Sequence, residues 1–208
     1  MPPIHSRLTP TYGYNVKSGR YTNLATGRYV KAEQVRAGLD TALQRSQNEI
    51  MRVSRELQAG NMSVAEWQVA MAREMRDAHT ASAALAKGGW AQMTARDWGK
   101  LGPAMKDQYG YLANFGQQIV DGEQRLDTLG FLSRANMYAQ AARGTYHAFE
   151  TAAMSERGMT EVKSVLGMAE HCGQCIGEAA RDWVPIGEEV PIGERQCLTH
   201  CHCSLQFR

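Results

Sequence analysis

All five cysteines of this 208-residue chain lie between residues 172 and 203, and the first 171 residues contain none. They form a Cys-x-x-Cys pair and a second group that begins at Cys197, 22 positions after Cys175. A Cys-x-x-Cys turn lets two thiolates reach one ion, and zinc prefers four tetrahedral sulfur or imidazole ligands. The separation is similar to that in zinc ribbons and knuckles, where a hairpin joins two ligand pairs. The pattern therefore predicts a structural zinc site.

More candidate ligands are present than a tetrahedral site needs. Cys172 and Cys175 form the first pair, and two members of the closing group complete a four-cysteine site, unless His200 or His202 replaces one of them. The closing group consists of Cys197, Cys201 and Cys203. His171 adjoins the first pair, and we expect its side chain to point away from the ion or to support a ligand.

Other uses of clustered cysteines remain open at the level of the sequence. The thiols can be reduced and merely buried, or an iron–sulfur cluster can occupy the same spacing. Disulfides are favoured only in an oxidising compartment, and the polar start of the chain lacks the apolar core of a signal peptide, so we expect a reducing cytoplasm. A redox-active pair is disfavoured because no thioredoxin-like strand and helix surround it.

Catalytic motifs are missing from the sequence. It contains no HExxH pair, no deaminase signature, no phosphate-binding glycine loop and no Gly-x-Ser-x-Gly turn. Four acidic residues between the cysteine groups are interpreted as solvated turn residues: Glu178, Asp182, Glu188 and Glu189. His79 and His147 fall in predicted helices and are expected to be packed or on the surface. We therefore expect a protein that is not an enzyme.

The remainder of the chain predicts a mainly α protein. Apolar residues recur at helical spacing over residues 32–58, from Ser63 to about residue 87, from about residue 104 onward, and over about 123–156. Thr94-Ala-Arg-Asp97 reads as a helix start, and Gly99, Gly102 and Pro103 are expected to break the first turns that follow it. Short connections favour an elongated antiparallel bundle over residues 32–158. Trp67, Trp90 and Trp98 are expected to anchor its core.

Two smaller segments flank the predicted bundle. Residues 1–12 read as irregular, and residues 13–30 as a short hairpin or pair of extended pieces, so that 1–31 form an N-terminal arm or hairpin. Its basic residues, Lys17, Arg20, Arg28 and Lys31, suit a solvated arm or contact with DNA. Residues 159–208 are too few to bury a sufficient core alone, so we expect an α+β module held together by zinc around Trp183.

The composition of the chain limits the kinds of partner that it is expected to bind. The chain carries 23 basic and 21 acidic residues, for a net charge of +2, and 43% of its residues are hydrophobic. This near-neutral balance does not indicate a nucleic-acid-binding protein. No apolar run approaches the roughly 20 residues of a membrane-spanning helix, so no membrane association is expected.

The order of features at the end of the chain resembles the phage minor head proteins of the Mu F type, also called head-morphogenesis proteins. The matching pieces are Cys172-Gly-Gln-Cys175, the loop Trp183-Val-Pro-Ile-Gly, and Cys197-Leu-Thr-His-Cys201-His-Cys203-Ser-Leu. The family commonly closes on Asn-Cys-Arg-Cys, whereas this chain has His200-Cys201-His202-Cys203. The resemblance covers about residues 165–208.

The resemblance implies a virion protein, synthesised in the host cytoplasm and present in several copies, that helps head assembly or genome packaging and delivery. Its implied partners are the portal, capsid or connector proteins, and packaged DNA through the basic N-terminal arm. Two other functions stay open: a zinc-binding adaptor or regulator that binds nucleic acid, and a metal-dependent hydrolase.

Overall fold

The computed structural model describes residues 12–15 and 17–208, most of which are helical. The helices are α1 (Ala32–Gln58), α2 (Val64–Lys87), α3 (Ala95–Val120), α4 (Leu129–Gln140), α5 (Ala142–Glu156) and α6 (Gly173–Ala180). The strands are β1 (Tyr12–Asn15), β2 (Arg20–Asn23), β3 (Tyr29–Val30), β4 (Glu161–Val165), β5 (Val184–Pro185) and β6 (Ser204–Phe207). The mainly helical class is therefore confirmed, together with small antiparallel sheets. Residues 1–11, expected to be irregular, lie outside the described residues.

The predicted N-terminal hairpin belongs to a three-stranded antiparallel sheet in the order β1-β2-β3. Tyr14 pairs with Tyr21 across the first two strands, and Tyr21 pairs with Val30 across the next two. Tyr12 and Tyr21 are buried in the main hydrophobic core. The described part of this segment is consequently a sheet packed on the helices and not an extended arm. Its basic side chains all remain exposed: Lys17, Arg20, Arg28 and Lys31.

Gly88 joins this sheet to the end of α2. The backbone N–H of Tyr12 donates to the Gly88 carbonyl at 2.6 Å. Gly88 has a φ of +98°, and a Cβ at this position would lie 2.1 Å from the Tyr12 carbonyl oxygen. Only glycine satisfies both the left-handed backbone and this close approach.

Helices α1 and α2 have the bounds that their apolar periodicity and capping signals predict. Val35, Leu39 and Ile50 are among the buried residues of α1. Ser63 and Glu66 form the predicted capping box at the start of α2, in which each side chain satisfies a backbone N–H of the other. Trp67 of α2 is fully buried.

Helices α3 to α5 depart from the prediction in two ways. Helix α3 begins at Ala95 and continues through Pro103, because Leu101 and Met105 on either side are buried and hold the helix against the core. The predicted single helix over about 123–156 begins only at Leu129, because Thr128 caps its start, and it consists of two helices that meet at Ala141. Helix α4 packs mainly on α1 and helix α5 mainly on α2.

Aromatic side chains form the centre of the helical body. Trp67 makes an edge contact with Phe115, with ring centroids 5.2 Å apart, and it also contacts Phe131. Its indole N–H donates to the Ser54 hydroxyl at 3.1 Å. The expectation of a core anchor is confirmed for Trp67. It is wrong for Trp98, which is 41% exposed.

The two helical histidines are packed, as predicted. The Nδ1 atom of His79 lies 2.7 Å from the Thr145 hydroxyl. His147 Nδ1 lies 3.0 Å from a carboxylate oxygen of Glu150, whose other oxygen accepts a hydrogen bond from Tyr146. All of these residues are buried, so both histidines are packed inside the body, although the buried Nε2 atom of His79 has no hydrogen-bond partner.

The C-terminal segment, residues 159–208, has its own small core. Strand β4 lies between β5 and β6 in an antiparallel sheet. The buried apolar residues are Val162, Ile192 and Leu205, which pack with cysteine side chains. Trp183, expected in this core, is half-buried outside it, with the Arg208 guanidinium 4.5 Å from its ring centroid. We refer to residues 159–208 as the cysteine module.

The cysteine module is packed on the helical body. Strand β6 contacts α5, and Phe207 of β6 packs against the main core as well as the module core. Among the described residues, no helix combines the length and apolar character required to cross a membrane.

Candidate metal centre

Helix α6 positions the first pair of cysteines. Cys172 is the residue that caps the start of α6, and its sulfur accepts a hydrogen bond from the backbone N–H of Cys175 at 3.4 Å. A cysteine at the cap and another one turn into the helix place both sulfurs on the same side of the helix end. The Cys-x-x-Cys spacing thus has a local structural explanation.

The closing group lies on the turn that leads into β6. Cys197 and Cys201 flank a single 3-10 turn, Leu198–His200, and Cys203 directly precedes β6. Because β6 pairs with β4 over four residues, the sheet holds this turn beside α6, which itself contacts β4.

Two glutamines connect the cysteine groups directly. The backbone N–H of Gln174 donates to the side-chain oxygen of Gln196 at 3.3 Å. In return, the backbone N–H of Gln196 donates to the side-chain oxygen of Gln174 at 2.9 Å. Each glutamine is adjacent to a cysteine, so this reciprocal pair sets the distance between the two ligand groups. Sequence analysis missed these residues, because glutamine has no ligand chemistry that would distinguish it.

The five sulfurs form one contiguous cluster with Cys175 at its centre. Its sulfur lies 3.5 Å from that of Cys197 and 3.6 Å from that of Cys201. A zinc tetrahedron with Zn–S bonds of about 2.3 Å has sulfur–sulfur edges of about 3.8 Å. Two sets of sulfurs lie within 4.8 Å of one another: Cys172, Cys175 and Cys197, and Cys175, Cys201 and Cys203. The predicted ligand cysteines are therefore brought together, and both sets share Cys175.

Burial divides these thiols into two kinds. Cys175, Cys201 and Cys203 are no more than 2% exposed, whereas Cys172 and Cys197 are half-buried. The hydrogen bond from the Cys175 backbone N–H lowers the pKa of Cys172 to about 7. Burial raises the pKa of Cys175 and raises that of Cys203 to about 12. A cation beside Cys175 and Cys203 would compensate the charge of their thiolates and so favour loss of their protons.

The histidine candidates differ in position. His200 and His202 are exposed and belong to neither set of clustered ligand atoms. His171 is not turned away from the cluster, since its Nδ1 lies 3.9 Å from the Cys203 sulfur while its Nε2 lies 2.9 Å from the Gly167 carbonyl oxygen. An Nε2–H that donates to this carbonyl leaves the Nδ1 lone pair facing the sulfur.

Arg195 is a functional candidate that sequence analysis missed. It is fully buried, at 0% exposure. Its Nη1 lies 3.9 Å from the Cys175 sulfur, its Nη2 donates to the Ser164 hydroxyl at 2.6 Å, and its Nε donates to the Val190 carbonyl at 2.8 Å. An arginine between Glu194 and Gln196 is expected to be solvated, so its contact with the cluster could be found only from the folded structure.

The acidic residues of the module are occupied by other partners. Glu178 is buried and pairs with Arg181, and it also accepts a hydrogen bond from the Val190 backbone N–H. Its interpretation as a solvated turn residue is wrong, because it connects α6 to the following loop. Asp182 is exposed and pairs with Lys163.

The cluster can hold a metal ion. Thiolate sulfur suits zinc, Cu(I) and iron–sulfur clusters, and it does not suit magnesium or calcium, which take oxygen ligands. The carboxylates named above belong to other contacts, so the donors that the described structure gathers at this point are sulfurs with one adjacent imidazole.

Comparison of the chain with protein-family models, with curated proteins and with solved structures finds no match.

Proposed function

We propose that this protein is a non-enzymatic structural component of a phage virion, a minor head protein whose cysteine module is folded around one structural zinc ion. The observation that carries the metal part of the proposal is the cluster of five sulfurs around Cys175. The virion part is motivated by the order of motifs in the sequence, from Cys172 to Leu205.

Zinc is the ion that suits the cluster best. Structural zinc sites are closed sets of four ligands, and the cluster offers two sets of three sulfurs that share Cys175, so a sulfur of one set can complete the other. All five cysteines are free thiols in the structure, so each sulfur is available as a ligand.

A stabilising role for the ion follows from the size of the module. Its core contains the buried apolar residues Val162, Ile192 and Leu205, which is little apolar surface for some fifty residues. Metal binding contributes folding free energy to such a unit, because the site does not exist in the unfolded chain. The ion would therefore hold β4, β6 and α6 together.

An enzymatic role has less support than a structural one. A catalytic zinc keeps an open position beside a general acid or base. In the module, Glu178 is engaged by Arg181 and the Val190 backbone, and four sulfurs would leave no position for water.

The proposed role in the virion is protein–protein contact. The elongated helical body would bind the portal, the capsid or a connector, in several copies, during head assembly or genome packaging and delivery. The exposed basic residues of the N-terminal sheet, Lys17, Arg20, Arg28 and Lys31, would face packaged DNA.

Purified virions test this proposal. Particles produced from a genome that encodes the chain should contain it after gradient purification, at a fixed copy number and with zinc bound. Particles from a Cys175→Ser genome should lack the protein or show defective heads, while a His200→Ala genome should behave as wild type. Absence of the wild-type chain from intact virions would refute the virion role.

A further inference from the structure

The buried guanidinium of Arg195 requires a negative partner. Within the part of the chain that the structure describes, no carboxylate lies within 4.0 Å of its nitrogens, and the buried carboxylate of Glu178 pairs with Arg181 instead. A buried charge without compensation is strongly destabilising, so such groups are paired or lie beside a metal site. The ionisable group that Arg195 contacts is Cys175.

A metal–thiolate centre supplies this negative charge. Loading of a divalent ion replaces the thiol protons, which pass to solvent, and four thiolates on a divalent ion leave a net charge of −2. A site with three thiolates and a neutral histidine would carry −1. The Coulomb energy between Arg195 and the centre is therefore larger for the four-thiolate set, and burial strengthens it.

The position of Arg195 is fixed by elements that do not bind the ion. Ser164 of β4 and the Val190 carbonyl hold the Nη2 and Nε atoms, which leaves Nη1 directed at Cys175. Cys175 is the sulfur shared by both sets of the cluster, so the positive charge lies against the centre and not at its edge.

We propose that Arg195 is the internal counter-cation of the metal centre, which raises its affinity for a divalent ion and selects four thiolates over sets that include a histidine. This inference rests on the proposed metal site, but it is independent of the virion role. Arg195 is in this sense a positioning residue, since it acts on the ion through Cys175.

Iron substitution of the purified full-length protein tests the charge directly. Arg195→Gln keeps an N–H donor and removes the charge, whereas Arg195→Lys keeps the charge. In the iron-loaded protein, we expect Arg195→Gln to lower the Fe³⁺/Fe²⁺ reduction potential, because the reduced centre is the more negative one. We expect the potential of the Arg195→Lys protein to stay close to that of wild type. Arg208→Gln, the same change on an exposed side chain of the module whose partner Glu161 is also accessible to solvent, should leave the potential unchanged.

Zinc affinity provides the second readout. In competition with a chromophoric chelator, Arg195→Gln should bind zinc about 10- to 100-fold more weakly than wild type, the range found for partners of metal ligands. An affinity within about twofold of wild type, with an unchanged potential in the iron form, would overturn the role of Arg195. Failure of the wild-type protein to bind any metal would instead refute the metal centre itself.

A measurement on the wild-type protein covers the case in which the Arg195→Gln protein does not fold. In the ¹¹³Cd-loaded protein, the cadmium resonance should lie in the four-sulfur range and show coupling to a guanidinium proton of Arg195 across the N–H···S contact. A resonance typical of mixed sulfur and nitrogen ligands, or no coupling to Arg195, would contradict the proposal.

Discussion

Cys175 is the residue on which the metal centre depends most. Its sulfur is buried, lies within 3.6 Å of two other cysteine sulfurs and is contacted by Arg195. The surrounding thiols are partly redundant, because five are present for four positions. The proposal therefore expects loss of Cys175 to weaken metal binding more than loss of any other cysteine, which single substitutions can test.

Substitution of Cys175 should abolish tight metal binding. We expect Cys175→Ser to lower the zinc content of the purified protein to near zero, because no other described sulfur belongs to both ligand sets. His200→Ala and His202→Ala, on exposed residues, should retain full zinc content by elemental analysis. Full zinc in the Cys175→Ser protein would show that the ion is held elsewhere.

His79 should make the helical body sensitive to acid. Burial lowers its pKa to about 4 from an ordinary value of 6.5, so the unfolded chain takes up a proton at a higher pH than the folded one. The stabilisation is complete above about pH 6.5 and is lost as pH falls towards 4, by on the order of 3 kcal/mol.

A matched variant isolates this effect from acid release of the metal. His79→Asn keeps a polar atom near Thr145 and does not titrate in this range. Urea unfolding of the two proteins between pH 7 and 4 should show a steeper loss of stability for wild type than for His79→Asn. Equal slopes would mean that His79 does not carry the acid sensitivity.

At the scale of elements, the helix termini are the best determined by sequence. Ser63 with Glu66, and Thr94 with Asp97, form capping boxes that fix the starts of α2 and α3. The interruption at Ala141 was not predictable, because neither glycine nor proline occupies the position and the backbone angles of Ala141 are themselves helical.

The candidate site was also predictable from the sequence only in part. The cysteines were predictable, since their residue type and spacing encode ligand chemistry. The Gln174–Gln196 pair and Arg195 were not, since their roles depend on β4, β6 and α6 coming together, and nothing in residues 194–196 distinguishes a buried arginine from a solvated one.

The junction between the N-terminal sheet and α2 allows a sharp element-scale test. Gly88→Ala places a Cβ 2.1 Å from the Tyr12 carbonyl oxygen, whereas Gly60→Ala, also at positive φ, meets nothing within 4 Å. We expect Gly60→Ala to cost about 1 kcal/mol from backbone strain alone. Gly88→Ala should cost at least about 2 kcal/mol more, by urea denaturation. Equal costs would mean that the sheet does not dock at Gly88.

At the scale of the whole molecule, the body and the module differ in what stabilises them. The body has an extensive apolar core around Trp67, Phe115 and Phe131, whereas the module has a small core lined by cysteines. Phe207 contacts both cores, so the two parts are packed together, and we propose that only the module depends on an ion.

Metal removal should therefore unfold the module selectively. After chelation under reducing conditions, we expect hydrogen exchange to accelerate in β4, α6 and β6, while α1 and α2 keep their protection. The far-UV circular dichroism should change little, because most helical residues lie in α1–α5. Uniform loss of protection would show that the chain unfolds as one unit.

X-ray absorption and elemental analysis of the protein, purified without added metal under reducing conditions, test the central claim most directly. The account predicts one zinc ion per chain, surrounded by four sulfurs at about 2.3 Å. A protein that contains no metal and five titratable free thiols, or a zinc ion with oxygen and nitrogen ligands only, would contradict it.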